Sequence, residues 1–499
     1  MAIQTRSSAL AVKEETTEGT PKLPSAATDY LALTSAFSMT PAFETLSNDE
    51  LKASIGASKP ILGLESPAAS YDAYVRHSGV EGTAPNYGKT LLKAAFGSET
   101  VAGTEYDVVS ATTSAITVDS GEGANFARGQ ALLIKDPTNG YRIRAIDSVA
   151  GDVLSLGFQV PTAPGASVNL GKSISYAPAN TGHPTLTVAH YLGNGGAVQL
   201  MSGARVTDMS VSIDAGQLIS ASYSLEGIEY YFNPIEITSS NNRIDFNDGG
   251  GEEQASITAK VYKDPKELAD AIATAMNGLT TDTITVTYSN STGKFTIASD
   301  GSTLSLLFAT GTNTANTIAT KIGFAVADQT AALTYTSANA LTLSSPQTPS
   351  YDSASPLAAK NNEVMIGSAS DYACFGASSL SFSLSTPKTD ILSLCAVSGK
   401  SGSIINERAV SVEVSALLNQ YDASKFSSFR ENEEIKFQYS FGEKSGGNWV
   451  EGKSGMIYMP TATISSFEVV DQDGLVALNM TLTGFVNSSG QGEAYLAFV

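Results

Sequence analysis

Val206-Thr-Asp-Met-Ser-Val-Ser-Ile213, a short turn and Gln217-Leu-Ile-Ser-Ala-Ser-Tyr-Ser-Leu-Glu-Gly227 have a second version later in the chain. It reads Ala462-Thr-Ile-Ser-Ser-Phe-Glu-Val-Val470, a turn, and Leu475-Val-Ala-Leu-Asn-Met-Thr-Leu-Thr-Gly484. In the first version Ile219, Ala221, Tyr223 and Leu225 fall on one face and Gly227 ends the run. In the second Val476, Leu478, Met480 and Leu482 do the same before Gly484. A period of two marks a strand with one buried face. Each pair of strands is preceded by another strand and turn, Leu186–Leu200 in one version and Ile435–Val450 in the other.

The correspondence continues towards the start of each unit. Phe37-Ser-Met39-Thr-Pro41 resembles Phe382-Ser-Leu384-Ser-Thr-Pro387, a strand closed by a residue that cannot extend a ladder. A long polar loop follows, 42–65 or 388–406. Then come a strand, 70–76 or 409–415, and a short helix, 87–96 or 421–429. Alternating strands and glycine turns recur in many β-proteins. A shared order of elements is a stronger signal, and the chain reads as a duplication.

The rest divides around these copies. Residues 1–27 are polar and read as an extended arm. Copy one occupies 28–104 and 180–234, interrupted by 105–179, which reads as a small β-barrel or sandwich with turns such as Thr138-Asn-Gly140. Residues 235–346 read as a peripheral α+β module. Its first helix starts at Asp264-Pro265 and ends at Asn277-Gly278, with Leu268, Ile272 and Met276 on one side. A second helix is expected from near Asn313 to Gly323. Copy two, uninterrupted, spans 347–499.

Only 16% of residues are charged while 42% are hydrophobic, and the net charge is −20. Such a surface repels phosphate and lacks the basic patch of a protein that grips nucleic acid. Cys374 and Cys395 are too few for a disulfide framework and read as buried thiols in a reducing compartment. No secretory h-region and no apolar run of about 20 residues is present, so no membrane partner is expected.

No catalytic or metal constellation emerges, and no cofactor is expected. His77, His183 and His190 lack acids at ligand spacing. Asp245-Phe-Asn-Asp248-Gly-Gly-Gly-Glu252-Glu253 has glycine where a calcium loop needs oxygen donors, and reads as a solvated turn. Gly193-Asn-Gly-Gly196 opens no helix, so it cannot cradle phosphate as a helix N-terminus does. The single tryptophan, Trp449, argues against an aromatic glycan groove with paired carboxylates. The chain reads as a non-enzyme.

Other stretches are similar to the major tail protein, or tail tube protein, of long non-contractile-tailed bacteriophages. They include Ala11-Val-Lys-Glu-Glu-Thr-Thr-Glu-Gly-Thr-Pro21 before Leu31-Ala-Leu-Thr34, and Ala84-Pro-Asn-Tyr-Gly88 leading into Thr90-Leu-Leu-Lys-Ala-Ala-Phe-Gly97. The 235–346 module, with Ile244-Asp-Phe246 and Gly323-Phe324, resembles inserts in phage tail proteins. The resemblance implies a mainly β fold: two tandem tail-tube-like β-sandwich domains, each with a flanking helix, plus the two inserted modules. It also implies rings stacked into a tube in the virion, assembled in the host bacterial cytoplasm. With a duplicated domain, three chains make a ring of pseudo-sixfold symmetry. The implied partners are the chain itself, a tape measure protein in the lumen, tail tip and terminator proteins at the ends, and genome DNA passing without specific binding. Another virion or cell-surface structural protein, such as a capsid decoration protein or an adhesin, is the alternative.

Two sets of residues are then candidates. Asp208, Asp214, Glu226 and Glu468 lie on the polar faces of the repeat strands and are expected to line the lumen, although alternation alone leaves open which face looks into the bore. Leu46, Asp49, Leu51, Ile55, Ile61 and Leu62 in one long loop, and Ile391, Leu394 and Ile404 in the other, are expected to carry ring stacking, since loops of this length are usually functional.

Overall fold

A computed structural model describes residues 5–50, 58–193, 196–301, 303–330, 332–343, 346–418, 423–472, 474–487, 490 and 492–499. In copy one, β1 is Ala9–Glu14, β2 Ser38–Thr40, β3 Ala68–Tyr74, β4 Leu186–Leu192, β5 Ala197–Asp214, β6 Ser220–Glu226 and β7 Glu229–Phe232. In copy two, β8 is Glu363–Gly367, β9 Ala377–Ser385, β10 Ala409–Leu417, β11 Ile435–Ser445, β12 Asn448–Gln472, β13 Leu475–Gly484 and β14 Tyr495–Phe498.

The pairings of one copy repeat in the other. One layer runs β2–β3–β6–β5 in copy one and β9–β10–β13–β12 in copy two. The second layer runs β1–β4–β5–β7 and β8–β11–β12–β14. Even the irregularities coincide. The register slips between Leu186 and Val188 in β4, and between Ile435 and Phe437 in β11. It slips again between Val206 and Asp208 in β5, and between Ile464 and Ser466 in β12. A β-bulge bends and twists the strand that carries it. Here it marks the place where β5 and β12, 18 and 25 residues long, leave one layer for the other. Burial along β5 follows the same path. Residues 200–207 are buried on both faces, where the strand lies between layers, and strict alternation follows from Asp208.

The two first layers are one sheet. β5 pairs with β9 from Asp208↔Ser385 to Asp214↔Ser379, so the strands run β2–β3–β6–β5–β9–β10–β13–β12 without a break. Beneath it lies a single apolar core with residues of both copies: Tyr71, Val211 and Tyr223 beside Phe382, Val412 and Leu482. The helical segment of copy one is a π-helical turn, Gly88–Leu92, continued by the α-helix Lys93–Phe96, and it buries Leu91, Leu92 and Phe96 in this core. Gly97 ends it at φ 90°, where a side chain would be strained and would collide with His183. In copy two the helix Ala423–Arg430 brings Phe429 against Phe467 of β12, and Tyr421 lies outside the described residues.

The structure departs from the sequence reading at several points. Residues 9–14, expected within a polar arm, form β1, because Leu10 and Val12 supply an apolar face that the core accepts. The loops 42–65 and 388–406 contain hairpins, Phe43–Leu46 with Ile61–Glu65 and Lys388–Leu392 with Lys400–Ile405. The strand Ser173–Pro178, expected inside the first insert, belongs to the main sheet. It pairs with Gly97–Ala102 and β14, and its Ile174 and Tyr176 enter the main core. The helix expected after Asn313 is only a 3-10 turn, Thr314–Asn316. The Asp245 carboxylate takes the Asn313 backbone N–H and side-chain amide, and the Thr/Asn-rich run has little helix propensity to compete. Asp245 is therefore buried rather than part of a solvated turn. Cys374 and Cys395, expected to be buried, are both exposed.

The first insert forms a seven-stranded antiparallel sheet between Tyr106 and Leu170, around Ile116, Leu132, Ile146 and Leu154. Its other face packs on copy two. Ala131, Leu133, Ile143 and Ala145 meet Met365, Trp449, Met456 and Tyr458. The residues between Ile235 and Tyr335 have a core of their own, with the helix Pro265–Asn277 capped by Asp264 across Phe246, Ile284 and Phe295. Its ties to the repeat copies include Lys263, 3.3 Å from Glu229 and 3.7 Å from Glu65.

Candidate assembly surfaces

The eight-stranded sheet has one apolar face, against the core, and one face that the described residues leave uncovered. Alternation places serine on most open positions: Ser220, Ser222 and Ser224 on β6, Ser210 and Ser212 on β5, Ser379, Ser381, Ser383 and Ser385 on β9. Asp208, Asp214, Glu226 and Glu468 are all exposed here, and Asp72 and Glu413, which the sequence reading missed, join them. Both could have been found by the same alternation, applied to β3 and β10. No lysine or arginine occupies an open position on these strands. Most carboxylates have hydroxyl or amide neighbours across the strand: Asp208 faces Ser224 and Ser385, Glu413 faces Ser381 and Thr481, and Glu468 faces Asn479. Ser385 Oγ donates to Asp208 at 2.7 Å. Interleaving neutral hydroxyls keeps the acids apart and leaves the face acidic but soft.

The two ends of this sheet are edges. At one end β2, only Ser38–Thr40, pairs with β3 on one side. At the other, the last part of β12 from Ser466 to Gln472 pairs with β13, and Val469 on that edge is exposed. Unpaired edges are templates for another strand.

The two hairpins carry exposed apolar side chains in both copies. Leu46, Ile61 and Leu62 are exposed in one, and Ile391, Leu394 and Ile404 in the other. Asp49 is exposed as well and accepts from Ser47 Oγ; Leu51 and Ile55 lie outside the described residues. The bases of the hairpins are tied together. Glu65 N–H donates to Ser398 O, and Lys400 Nζ donates to Ser66 Oγ at 2.7 Å. Asp390 lies 2.6 Å from Lys388 Nζ and 2.7 Å from Lys400 Nζ. Burial works against the charge of Asp390, but the hydrogen bonds from Lys388 and Lys400 more than offset it and hold the carboxyl below its ordinary range. Arg205 adds a second tie, donating to Glu18 and to Ser403. Neither network was visible in sequence, since its members come from distant segments.

The histidines are dispersed. His77 faces Glu443, His183 lies against the Ala94 and Ala179 carbonyls, and His190 bonds Gln199.

Residues 5–233 match the family model described as phage tail tube protein, a span that holds copy one and the first insert. No curated protein matches the chain. Among solved structures, a chain from the virion of a native gene transfer agent particle is 14% identical, with 24% of this chain and 89% of that chain covered at a TM-score of 0.19. The tail tube of SPP1 is 18% identical, with 28% and 76% covered at a TM-score of 0.19. Over residues 5–233, a little under half of its length, this chain is similar to the phage tail tube protein family, a family of structural proteins rather than of enzymes.

Proposed function

We propose that three copies of this chain close into a ring of pseudo-sixfold symmetry, and that stacked rings form a conduit for genome DNA. The observation that carries this reading is the β5–β9 junction, where one copy of the repeat joins the next by an edge-to-edge ladder. β12 corresponds to β5, and β2 corresponds to β9. The same ladder between β12 of one chain and β2 of the next removes both free edges, and a head-to-tail contact of this kind closes when the rotation fits. Eight strands from each of three chains, spaced ~4.8 Å, give a circumference of ~115 Å and a bore of ~37 Å, widened by strand tilt.

Bulk favours the open face as the inward one. The second layer, the helices and the first insert all stack beyond the apolar side of the sheet, and a bore of this size has no room for them. The serine and carboxylate face is therefore the lumen wall. Fixed negative charge there discourages phosphate from settling, acting over a Debye length of ~8 Å in physiological salt. The hairpins, with their exposed leucines and isoleucines, lie at the rims and make the ring-to-ring contacts. A tape measure protein in the lumen during assembly in the host cytoplasm, and tip and terminator proteins at the ends, complete the reading. The domain boundaries follow from it: two interlocked tube copies, one insert that roofs copy two, and one self-contained module at 235–346.

Register gives the test. Ser212 faces Ser381 at the internal junction, so Val470 of one chain should face Ser38 of the next. With Cys374 and Cys395 replaced by serine, Ser38→Cys with Val470→Cys should give covalently closed trimers on oxidation. Six chains per ring in a tube reconstruction, or rings that never cross-link, would overturn the reading.

A further inference from the structure

β2 and β9 hold the same place in the two copies but differ in length. Ser38 faces Ser70, which faces Ser224, which faces Asp208. Ser381 faces Glu413, which faces Thr481, which faces Ser466. Ser38 is therefore level with Ser381, two residues from the sequence match of Phe37 with Phe382. β9 has nine residues and pairs with β10 from Ala377↔Ala416 to Ser385↔Ala409. β2 has three, Ser38–Thr40.

The missing part of β2 is present in the chain but unjoined. Ser379 pairs with Ser415 in copy two, and the level residues in copy one are Ala36 and Asp72. Those two do not pair. Residues 34 and 35 bend away from β3, and Asp72 O accepts instead from Thr34 Oγ1 at 2.9 Å. A cavity of about 240 Å³ lies between residues 31–34 and Tyr71, Ala73 and Tyr74 of β3.

What β9 has and β2 lacks is a strand on its far side. Ala215 N–H donates to Ser378 O and Thr386 N–H to Thr207 O, at the two ends of the β5–β9 ladder. Antiparallel alternation between these bonds turns the amides of Leu380 and Phe382 toward β5. The level amides in copy one are Phe37 and Met39, and they face the open edge. The strand that corresponds to β5 is already formed: Ser466–Gln472 of β12 is held by β13. Its Val469 is 54% exposed, whereas the equivalent Val211, opposite Phe382 on β9, is 3% exposed.

We propose that β2 is completed by docking: when β12 of a neighbouring copy lies against it, Ala36 and Phe37 join the strand. Asp214 faces Ser379, so Gln472 of the neighbour faces Ala36, and the amides of Phe37 and Met39 reach the carbonyls of Asp471 and Val469. A full-length open edge invites pairing with any strand, and a short one is a known safeguard. Here the safeguard is lifted by the correct partner, which brings a ladder already in register. The inference rests on the ring reading and adds how its contact is controlled.

Hydrogen exchange of the full chain, before and after assembly, tests it. The amides of Phe37 and Met39 should exchange roughly a hundredfold more slowly in rings than in the free chain, while those of Leu380 and Phe382 are slow in both. Slow exchange at Phe37 and Met39 in the free chain would overturn this inference, because the strand would be preformed. So would fast exchange there in rings that cross-link through Ser38→Cys and Val470→Cys, and the ring reading would then stand. Failure to form rings would overturn both. Ala36→Pro removes the N–H that Ala36 would give to Asp72 O. It should leave thermal unfolding of the free chain unchanged and raise the concentration needed for assembly roughly tenfold, with Ala36→Ser assembling normally. Assembly unchanged by Ala36→Pro would count against the completed strand.

Discussion

Asp390 locks the two strands of the second hairpin together by standing between Lys388 and Lys400, lysines that are themselves almost fully buried. Replacing it with asparagine removes the carboxylate paired with Lys400 and leaves Lys388 only Glu226, 3.9 Å away, and the expected cost is about 3 kcal/mol at neutral pH. The sign with pH follows from the lowered carboxyl. Its contribution is fully present above the unfolded value near ~4 and is lost as pH falls through the lower folded value. Acid titration of the wild type and of Asp390→Asn, followed by denaturant unfolding, should therefore converge at low pH and diverge above it. On the open face, the acids act together rather than singly. Changing Asp208, Asp214 and Glu226 to lysine should leave the fold intact by circular dichroism and give tubes that retain DNA or release it more slowly. Tubes with unchanged DNA release would remove the electrostatic role assigned to that wall.

Among elements, the strands were the most legible. Gly227 and Gly484, and the alternation ahead of them, give β6 and β13 directly, because one face is buried and the other is wet. The bulges in β5 and β12 were not legible, since Thr207 and Ser465 look like ordinary strand residues and only the change of layer makes an extra residue necessary. β1 was hidden for a different reason: Leu10 and Val12 sit in a polar context, and their burial depends on β4, far along the chain. The hairpins at 43–65 and 388–405 were read as loops because their apolar residues face outward, which breaks the usual pattern of a strand. The Asn313 helix failed because the Thr- and Asn-rich run closes only the 3-10 turn Thr314–Asn316 and has little helix propensity to carry it further. Of the candidate residues, the four acids could be placed on one face by alternation, whereas the lysines around Asp390 could not. Removing Leu46–Leu62 should stop polymerisation, seen as loss of tubes by electron microscopy, while thermal unfolding of the soluble chain shifts little, since the hairpin contributes few residues to the core. Normal tubes from that deletion would show that stacking lies elsewhere.

At the scale of the molecule the two inserts differ. Residues 106–170 cover Trp449, the only tryptophan, which also lies 4.1 Å below Lys444 Nζ. Deleting that insert should expose Trp449, Met456 and Tyr458, shift tryptophan emission to the red and promote aggregation. Deleting 240–342, whose core is separate, should leave the emission unchanged. Equal emission from both deletions would mean that the first insert does not roof copy two. The joined sheet has a further consequence for fidelity. In the ring proposed above, every chain brings two sectors joined by the β5–β9 ladder, so a ring would contain only an even number of them. Errors of one sector, which would bend each junction by only about a sixth, are forbidden by parity rather than by energy. The nearest faulty rings would have four or eight sectors and change the turn at every junction by about a half or about a quarter, a distortion that a packed β ladder resists more strongly. On that reading duplication proofreads circumference, and the proposed bore would keep a constant width through the covalent continuity of one chain.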